Sequence, residues 1–215
     1  AYFLFEVPSN EGMEKVGARI WIARIMITWG IFAAATAFVT GPTGFGVVRF
    51  LLGMAEAGFF PGLILYFTYW FPARHHARIV SGFLVGLPVA VAAGAPISTA
   101  LMGLDGLFGL KGWQIMYLAE GIPTILIGIA TYFVLTNKPE QAKFLTAQER
   151  DWLVDQIAGE RKAKEAVRVY SLFESMSNPK VLLVALNYLG ILTASLGMLI
   201  FIPQNIKELG KMSNM

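Results

Sequence analysis

Cysteine is absent from the chain, which excludes a disulfide scaffold, a thiolate metal site and a nucleophilic thiol. Charge is scarce as well: 14% of residues are charged, against about 25% in an ordinary soluble domain. Glycine follows no three-residue period, so a collagen-like fibre is excluded, and the low polarity excludes disorder. The opening Ala1-Tyr2-Phe3 has no initiator methionine and none of the charged, apolar and cleavage regions of a signal peptide. The closing Lys211-Met212-Ser213-Asn214-Met215 comes a few residues past a hydrophobic run. Both ends read as cut, and the expectation is a piece of a longer protein. What the chain has in excess is apolar surface, with 56% hydrophobic residues and a mean hydropathy of +0.60 over 215 residues. One soluble core of this size could not hide it. The composition is that of a multi-pass membrane protein.

A spanning helix needs about 20 mostly apolar residues to cross about 30 Å of hydrocarbon. Five stretches qualify: Ile20–Val39, Phe45–Phe71, Ile79–Met102, Trp113–Leu135 and Val181–Gln204. All must be helical, because an open strand edge in lipid leaves backbone groups unpaired. The opening Ala1–Pro8 is apolar but too short to span, and reads as the end of a helix whose start is missing. The net charge of +3 is unevenly placed. Lys15 and Arg19 precede the first span, Arg74 and Arg78 flank His75-His76 before the third, and seven basic residues lie between Thr136 and Asn178. The intervening loops are neutral: Thr40–Gly44 carries no charge, and Asp105 cancels Lys111. This alternation places the basic segments in the cytoplasm by the positive-inside rule. The long segment also holds seven acids. Within it, Thr146-Ala147-Gln148-Glu149 is a capping box, followed by Trp152, Leu153 and Ile157 on an expected apolar face. Asn178-Pro179 supplies a cap and a first-turn proline for the last span.

Some residues do not belong in oil. Arg49 and Glu56 lie inside the second span, where each charge costs roughly 2.5–3.5 kcal/mol at a helix centre on insertion scales. Seven residues is nearly two turns, so both project from one face, about 10 Å apart along the axis. A direct salt bridge between them is not expected, and each needs another partner or water. The structural alternative is that Arg49 snorkels to the interface and Glu56 is a packed, neutral acid. Gly53, Gly58, Pro61 and Gly62 in the same span permit close helix approach and a bend at the proline. Glu120, beside Gly121 and Pro123, serves equally well as a cap for a neighbouring helix or as a functional acid. Arg24 is expected to snorkel, and Asn187 and Tyr188 to hydrogen-bond between helices or to line a path. Trp21, Tyr69, Trp70 and Trp113 read as interfacial anchors. Adjacent histidines are not at ligand spacing, no cofactor loop or nucleophile–base pattern occurs, and the mixed charges of the linker do not make a nucleic-acid surface.

Several motifs are familiar. Asn10-Glu11-Gly12-Met13-Glu14-Lys15-Val16-Gly17-Ala18-Arg19 resembles the loop between the second and third helices of the major facilitator superfamily, whose pattern is Gly-x-x-x-Asp-Arg-x-Gly-Arg-Arg. Glu14, Lys15, Gly17 and Arg19 match in kind, while Asn10, Ala18 and the doublet Glu11-Gly12 depart. Arg49-Phe50-Leu51-Leu52-Gly53-Met54-Ala55-Glu56-Ala57-Gly58 is similar to its fourth helix, and Gly94-Ala95-Pro96 to the motif of its fifth. Tyr66–Pro72 and Leu145–Leu153 resemble the anion:cation symporter branch, within it the bacterial tartrate- and phthalate-permease-like members.

The resemblance implies an all-α membrane protein with a partial major facilitator fold, from the end of helix two to helix seven of twelve. Residues 1–135 would be the remainder of the first six-helix bundle, 136–178 a cytoplasmic linker with an amphipathic helix, and 179–215 the start of the second bundle. It further implies proton-coupled symport of a small organic anion by alternating access, in the bacterial inner membrane. In that frame Glu56 carries the proton, Arg49 sets the charge of the anion path, and Asn187, Tyr188 and Tyr2 face substrate. The expected partners are the anion, protons, the lipid bilayer and the missing helices, with no metal, cofactor or nucleic acid. The alternatives are a non-transporting fragment, a membrane sensor or scaffold, or an enzyme using Glu56 and Glu120.

Overall fold

The computed structural model describes residues 2–167, 174 and 177–212. Eight helices account for most of them: α1 Tyr2–Val16, α2 Ala18–Ala35, α3 Gly41–Glu56, α4 Phe59–Trp70, α5 Ala73–Met102, α6 Gly112–Val134, α7 Ala147–Val167 and α8 Pro179–Met212. Short 3-10 turns at Thr36–Phe38, Leu107–Gly109 and Pro139–Gln141 finish or link them. Five segments are long and apolar enough to cross a membrane: Ala18–Phe38, Gly41–Trp70, Ala73–Met102, Gly112–Val134 and Pro179–Met198. These are the five spans expected from composition. Residues 1–161 form one compact unit and 162–215 a second.

Several expected boundaries move. The Asn10–Arg19 segment is not a loop, because α1 runs helically through Val16 and the chain turns only at Gly17, whose φ of 98° suits glycine. The basic segment before the third span is helical too, since α5 begins at Ala73. Helices can outrun the hydrocarbon, and hydropathy marks only the part in oil. The Thr40–Gly44 loop expected between the first two spans is helical from Gly41, where α3 opens, and Pro42 in its first turn loses no helical bond there.

The second span is two helices. Pro61 has no N–H for the carbonyl four residues back, that of Ala57, so the ladder fails one turn before the proline. Gly58 takes a left-handed conformation, φ 86°, and α4 restarts with Gly62 N–H donating to Gly58 O at 2.9 Å. The site of a Gly58 Cβ is filled by the Ser9 side chain of α1. The break thus lies at Ala57–Gly58, immediately after Glu56, and not at Pro61.

Within the first unit, α2 and α6 form the tightest pair. A Cβ on Gly121 would lie 2.7 Å from Ala34 N and 2.8 Å from Gly30 O, and one on Gly128 would lie 2.9 Å from Met26 Cβ. Only hydrogen at these positions lets the two backbones approach so closely. Beside this seam, Met13, Ala18 and Ile22 are buried with Trp21, Met26, Phe59, Leu63, Tyr66 and Leu135 packed round them. Gly12 makes room for the Trp21 ring, since its Cβ would stand 2.5 Å from Trp21 Cη2. Trp21 Nε1 donates to Ser9 Oγ at 3.1 Å. Trp21 therefore knits α1 to α2, which corrects its reading as a simple interfacial anchor. Gly12, one half of the Glu11-Gly12 departure from the family pattern, is the residue that makes this room. By contrast α5 has no buried residue, and reaches α4 through Phe83, whose ring centroid lies 6.0 Å from Phe60 and 5.8 Å from Phe67.

The linker straps the basic end of this unit. Asn137 Oδ1 accepts from Arg19 N at 2.8 Å, Tyr66 Oη donates to Thr136 O at 2.9 Å, and Phe144 stacks on Trp70 at 5.8 Å. Arg19 Nε donates to the Tyr132 carbonyl in the last turn of α6, where a cation complements the helix dipole. The capping box forms as read: Thr146 N–H and Oγ1–H donate to Glu149 Oε2 at 2.9 and 2.7 Å. Those bonds, the hydroxyl's first, hold the Glu149 carboxyl below its ordinary value. Glu160 Oε2 accepts from Ala73 N at 2.8 Å, placing a carboxylate at the start of α5. The apolar stripe of α7 is Leu153, Val154 and Ile157. Trp152 stands off it, 54% exposed, because a neighbour at one residue's step is rotated about 100°. Asn178 Oδ1 accepts from Lys180 N at 2.9 Å, capping α8 as expected.

Candidate functional site

Arg49 sits two turns before the end of α3, on an exposed face. Its Nη2 donates to Tyr117 Oη at 2.8 Å, and its guanidinium carbon lies 5.1 Å from the Phe45 ring centre and 5.7 Å from that of Tyr117. Tyr117 is in turn set edge-on against Trp113, centroids 6.4 Å apart. A cation in a spanning helix is thus held by a neutral hydroxyl and two π-faces, with no carboxylate at ion-pair distance among the described residues. Such a group keeps its charge uncompensated and its remaining donors open.

Glu56 is the last residue of α3, half-buried, with no hydrogen-bond or ion-pair partner among the described residues. It lies seven residues from Arg49 on one helix, as its spacing requires, and immediately before the break at Ala57–Gly58. The two charges do not meet. Glu120, on α6, accepts a hydrogen bond from Ser98 Oγ of α5 at 2.9 Å. The acid therefore ties two helices together instead of capping a third. Gly121 beside it faces α2, which turns Glu120 away from the seam.

The other expected residues are dispersed. Arg24 does not extend freely to the interface, because its guanidinium covers the Trp21 ring at 4.1 Å and its Nε is buried without a hydrogen-bond partner among the described residues. Asn187 and Tyr188 are exposed on α8 in the second unit. Tyr2 is in α1, but its side chain lies outside the described residues. Sequence reasoning passed over Tyr117, which resembles an interfacial aromatic by position. Its spacing with Glu120 and Thr124, three and four residues apart, was the available signal. Asp105 was also undervalued: its Oδ1 accepts from Gly112 N at 2.7 Å and so anchors the start of α6.

A family profile described as Major Facilitator Superfamily matches residues 1–213. The chain belongs to the major facilitator superfamily. Relatives are similar over almost all of it. A protein of Agrobacterium vitis named "Putative tartrate transporter" is 49% identical over 209 residues, 97% of this chain and 46% of that protein. A Pseudomonas putida protein named "Putative metabolite transport protein NicT" is 43% identical over 211 residues, covering 97% and 48%. The Escherichia coli inner membrane transport protein RhmT is 39% identical over 208 residues, covering 97% and 48%. The chain spans about half the length of the curated relatives it matches. The superfamily and its spanning helices make this a multi-pass membrane chain with a partial major facilitator fold. The names of the relatives are those of transporters, and the enzyme alternative is set aside.

Proposed function

We propose that this chain supplies the end of helix two through helix seven of a twelve-helix carrier, which moves a small organic anion across the bacterial inner membrane together with protons. Residues 1–135 belong on this reading to the first bundle, 136–178 to the cytoplasmic linker and 179–215 to the second bundle. The observation that carries the reading is the pairing of two uncompensated charges on α3. Among the described residues Arg49 has neutral and aromatic partners only, so it offers a positive field to a carboxylate. Glu56 has no partner among the described residues and stands next to a break in its helix, a setting in which it can take and release a proton. Charges in a spanning helix are costly to insert, and function is the usual reason to keep them. Alternating access between two bundles needs groups whose charge changes with the side they face, which a coupling carboxyl provides. Asn187, Tyr188 and Tyr2 are the substrate-facing polar groups of this proposal, carried by family likeness alone. Tartrate, named for two relatives, is the first substrate to try.

The test uses the complete carrier in proteoliposomes. Glu56→Gln retains anion exchange and loses accumulation driven by a pH gradient, while Arg49→Gln loses both. Proton-driven uptake by the Glu56→Gln carrier at the unaltered rate overturns the coupling role.

A further inference from the structure

Helix α6 has two working faces. Gly121 and Gly128 lie against α2. On the other side Tyr117, Glu120 and Thr124 follow at three- and four-residue spacing, which stacks them as neighbours about 5–6 Å apart at Cβ. Each of the first two is fastened to a different helix. Tyr117 Oη holds Arg49 of α3 at 2.8 Å, and Glu120 Oε1 is held by Ser98 of α5 at 2.9 Å. A carboxylate therefore stands one turn further into α6 from the hydroxyl that anchors the guanidinium. It is nevertheless engaged with a neutral donor and not with the cation. Arg49 and Glu120 are exposed, Tyr117 and Ser98 are half-buried, and all four belong to the first unit.

We propose that Glu120 determines the charge selectivity of the Arg49 site, and that Tyr117 and Ser98 are its positioning residues. The inference rests on the reading of Arg49 as the anion-binding cation and goes beyond it. One carboxylate of a ligand docks on the open donors of Arg49. A second carboxylate on the same small molecule that extends along α6 toward the next turn meets the Glu120 carboxylate. Like charges brought to about 5–6 Å repel through a medium of effective dielectric about 20–80, and the penalty corresponds to a fold-change of roughly 3 to 300 in affinity. The site as built thus favours a monoanion over a dianion of the same skeleton. Ser98 maintains the discrimination by keeping Glu120 from swinging onto Arg49 and neutralising it.

The experiment compares tartrate with its monoamide, which differ in one charge and in little else, on the 215-residue chain in lipid nanodiscs at pH 7. Binding is read by calorimetry and by the emission change that Trp113→Phe removes. The expected wild-type result is tighter binding of the monoamide by roughly 3- to 300-fold. Glu120→Gln, which keeps an acceptor for Ser98, brings the two affinities within about twofold. Ser98→Ala weakens both ligands. A ratio that Glu120→Gln leaves unchanged, with binding still lost in Arg49→Gln, overturns the selectivity role alone. Binding that survives Arg49→Gln, or no binding of either ligand to the wild-type chain, overturns the anion site itself.

Discussion

Replacing Gly121 by alanine probes the α2/α6 seam directly. The new Cβ would lie 2.7 Å from Ala34 N, 2.8 Å from Gly30 O and 2.9 Å from Ala34 Cβ. Two of these three atoms are backbone and cannot swing aside. Restoring ordinary contact at about 3.4 Å requires the helices to part by about 0.7 Å, and over-packing of this kind costs about 1–3 kcal/mol. Alanine recovers about 0.5–1 kcal/mol of helix propensity over glycine. The net expectation is a destabilisation of about 0.5–2 kcal/mol. Gly94→Ala is the control, because nothing lies within 4 Å of its Cβ position, and there the propensity gain stands alone. The two substitutions therefore differ in sign. Gly128→Ala acts on the same seam, where a Cβ would lie 2.9 Å from Met26 Cβ. Once one alanine has parted the helices the second costs less, so the double variant falls short of additivity by at least about 0.5 kcal/mol. Denaturant titration in mixed micelles, followed by tryptophan emission and helical circular dichroism, measures all four. Gly121→Ala as stable as the wild type, or Gly94→Ala losing as much as Gly121→Ala, refutes the close-packing argument.

Three other expectations concern the segment between the last two spans and the chain as a whole. Because the Thr146 hydroxyl and amide hold the Glu149 carboxyl below its ordinary value, the cap stabilises α7 fully above that ordinary value. The contribution disappears as pH falls through the lowered one, so amide exchange over residues 146–150 should accelerate in acid, and Glu149→Gln should flatten the profile. Glu160→Gln removes a carboxylate from the first turn of α5. A helix-terminus charge is worth about 0.3–1 kcal/mol, so protease cleavage within α7 should quicken by about two- to fivefold, and an unchanged rate would argue that the contact contributes nothing. The isolated chain, spanning about half of its relatives' length, is expected to give no tartrate uptake in reconstituted vesicles; measurable uptake contradicts the need for the remaining helices.

The spans were readable because oil selects composition residue by residue, and a run such as Ile79–Met102 has no other way to be solvated. The capping box and the Asn178 cap were readable for a related reason: both partners lie within four residues. What sequence concealed was contact across distance. The break after Glu56 depends on the missing donor of Pro61 acting four residues upstream, and on Ser9 occupying the space beside Gly58. Trp21 looks interfacial until Gly12 and Ser9 are seen beneath it. Arg49 was picked out by its cost in lipid, whereas Tyr117 carries no such cost and declares itself only through the guanidinium it holds. In the same way Asn137 and Glu160 look like ordinary linker residues until their backbone partners at Arg19 and Ala73 are known.

The α2/α6 seam also has a consequence for biogenesis. Gly121 is synthesised about ninety residues after Gly30, and at about 5–20 residues per second that delay is roughly 5–20 s. During this interval α2 is already in the bilayer with its small-residue flank at Gly30 and Ala34 unmatched. Any other helix with a flat, small-residue side could lodge there first, whether from a second nascent chain or from the insertion machinery. Timely delivery of α6 is therefore a quality-control step for the ribosome–membrane complex, and a pause within α5 would be the costliest place for translation to stall.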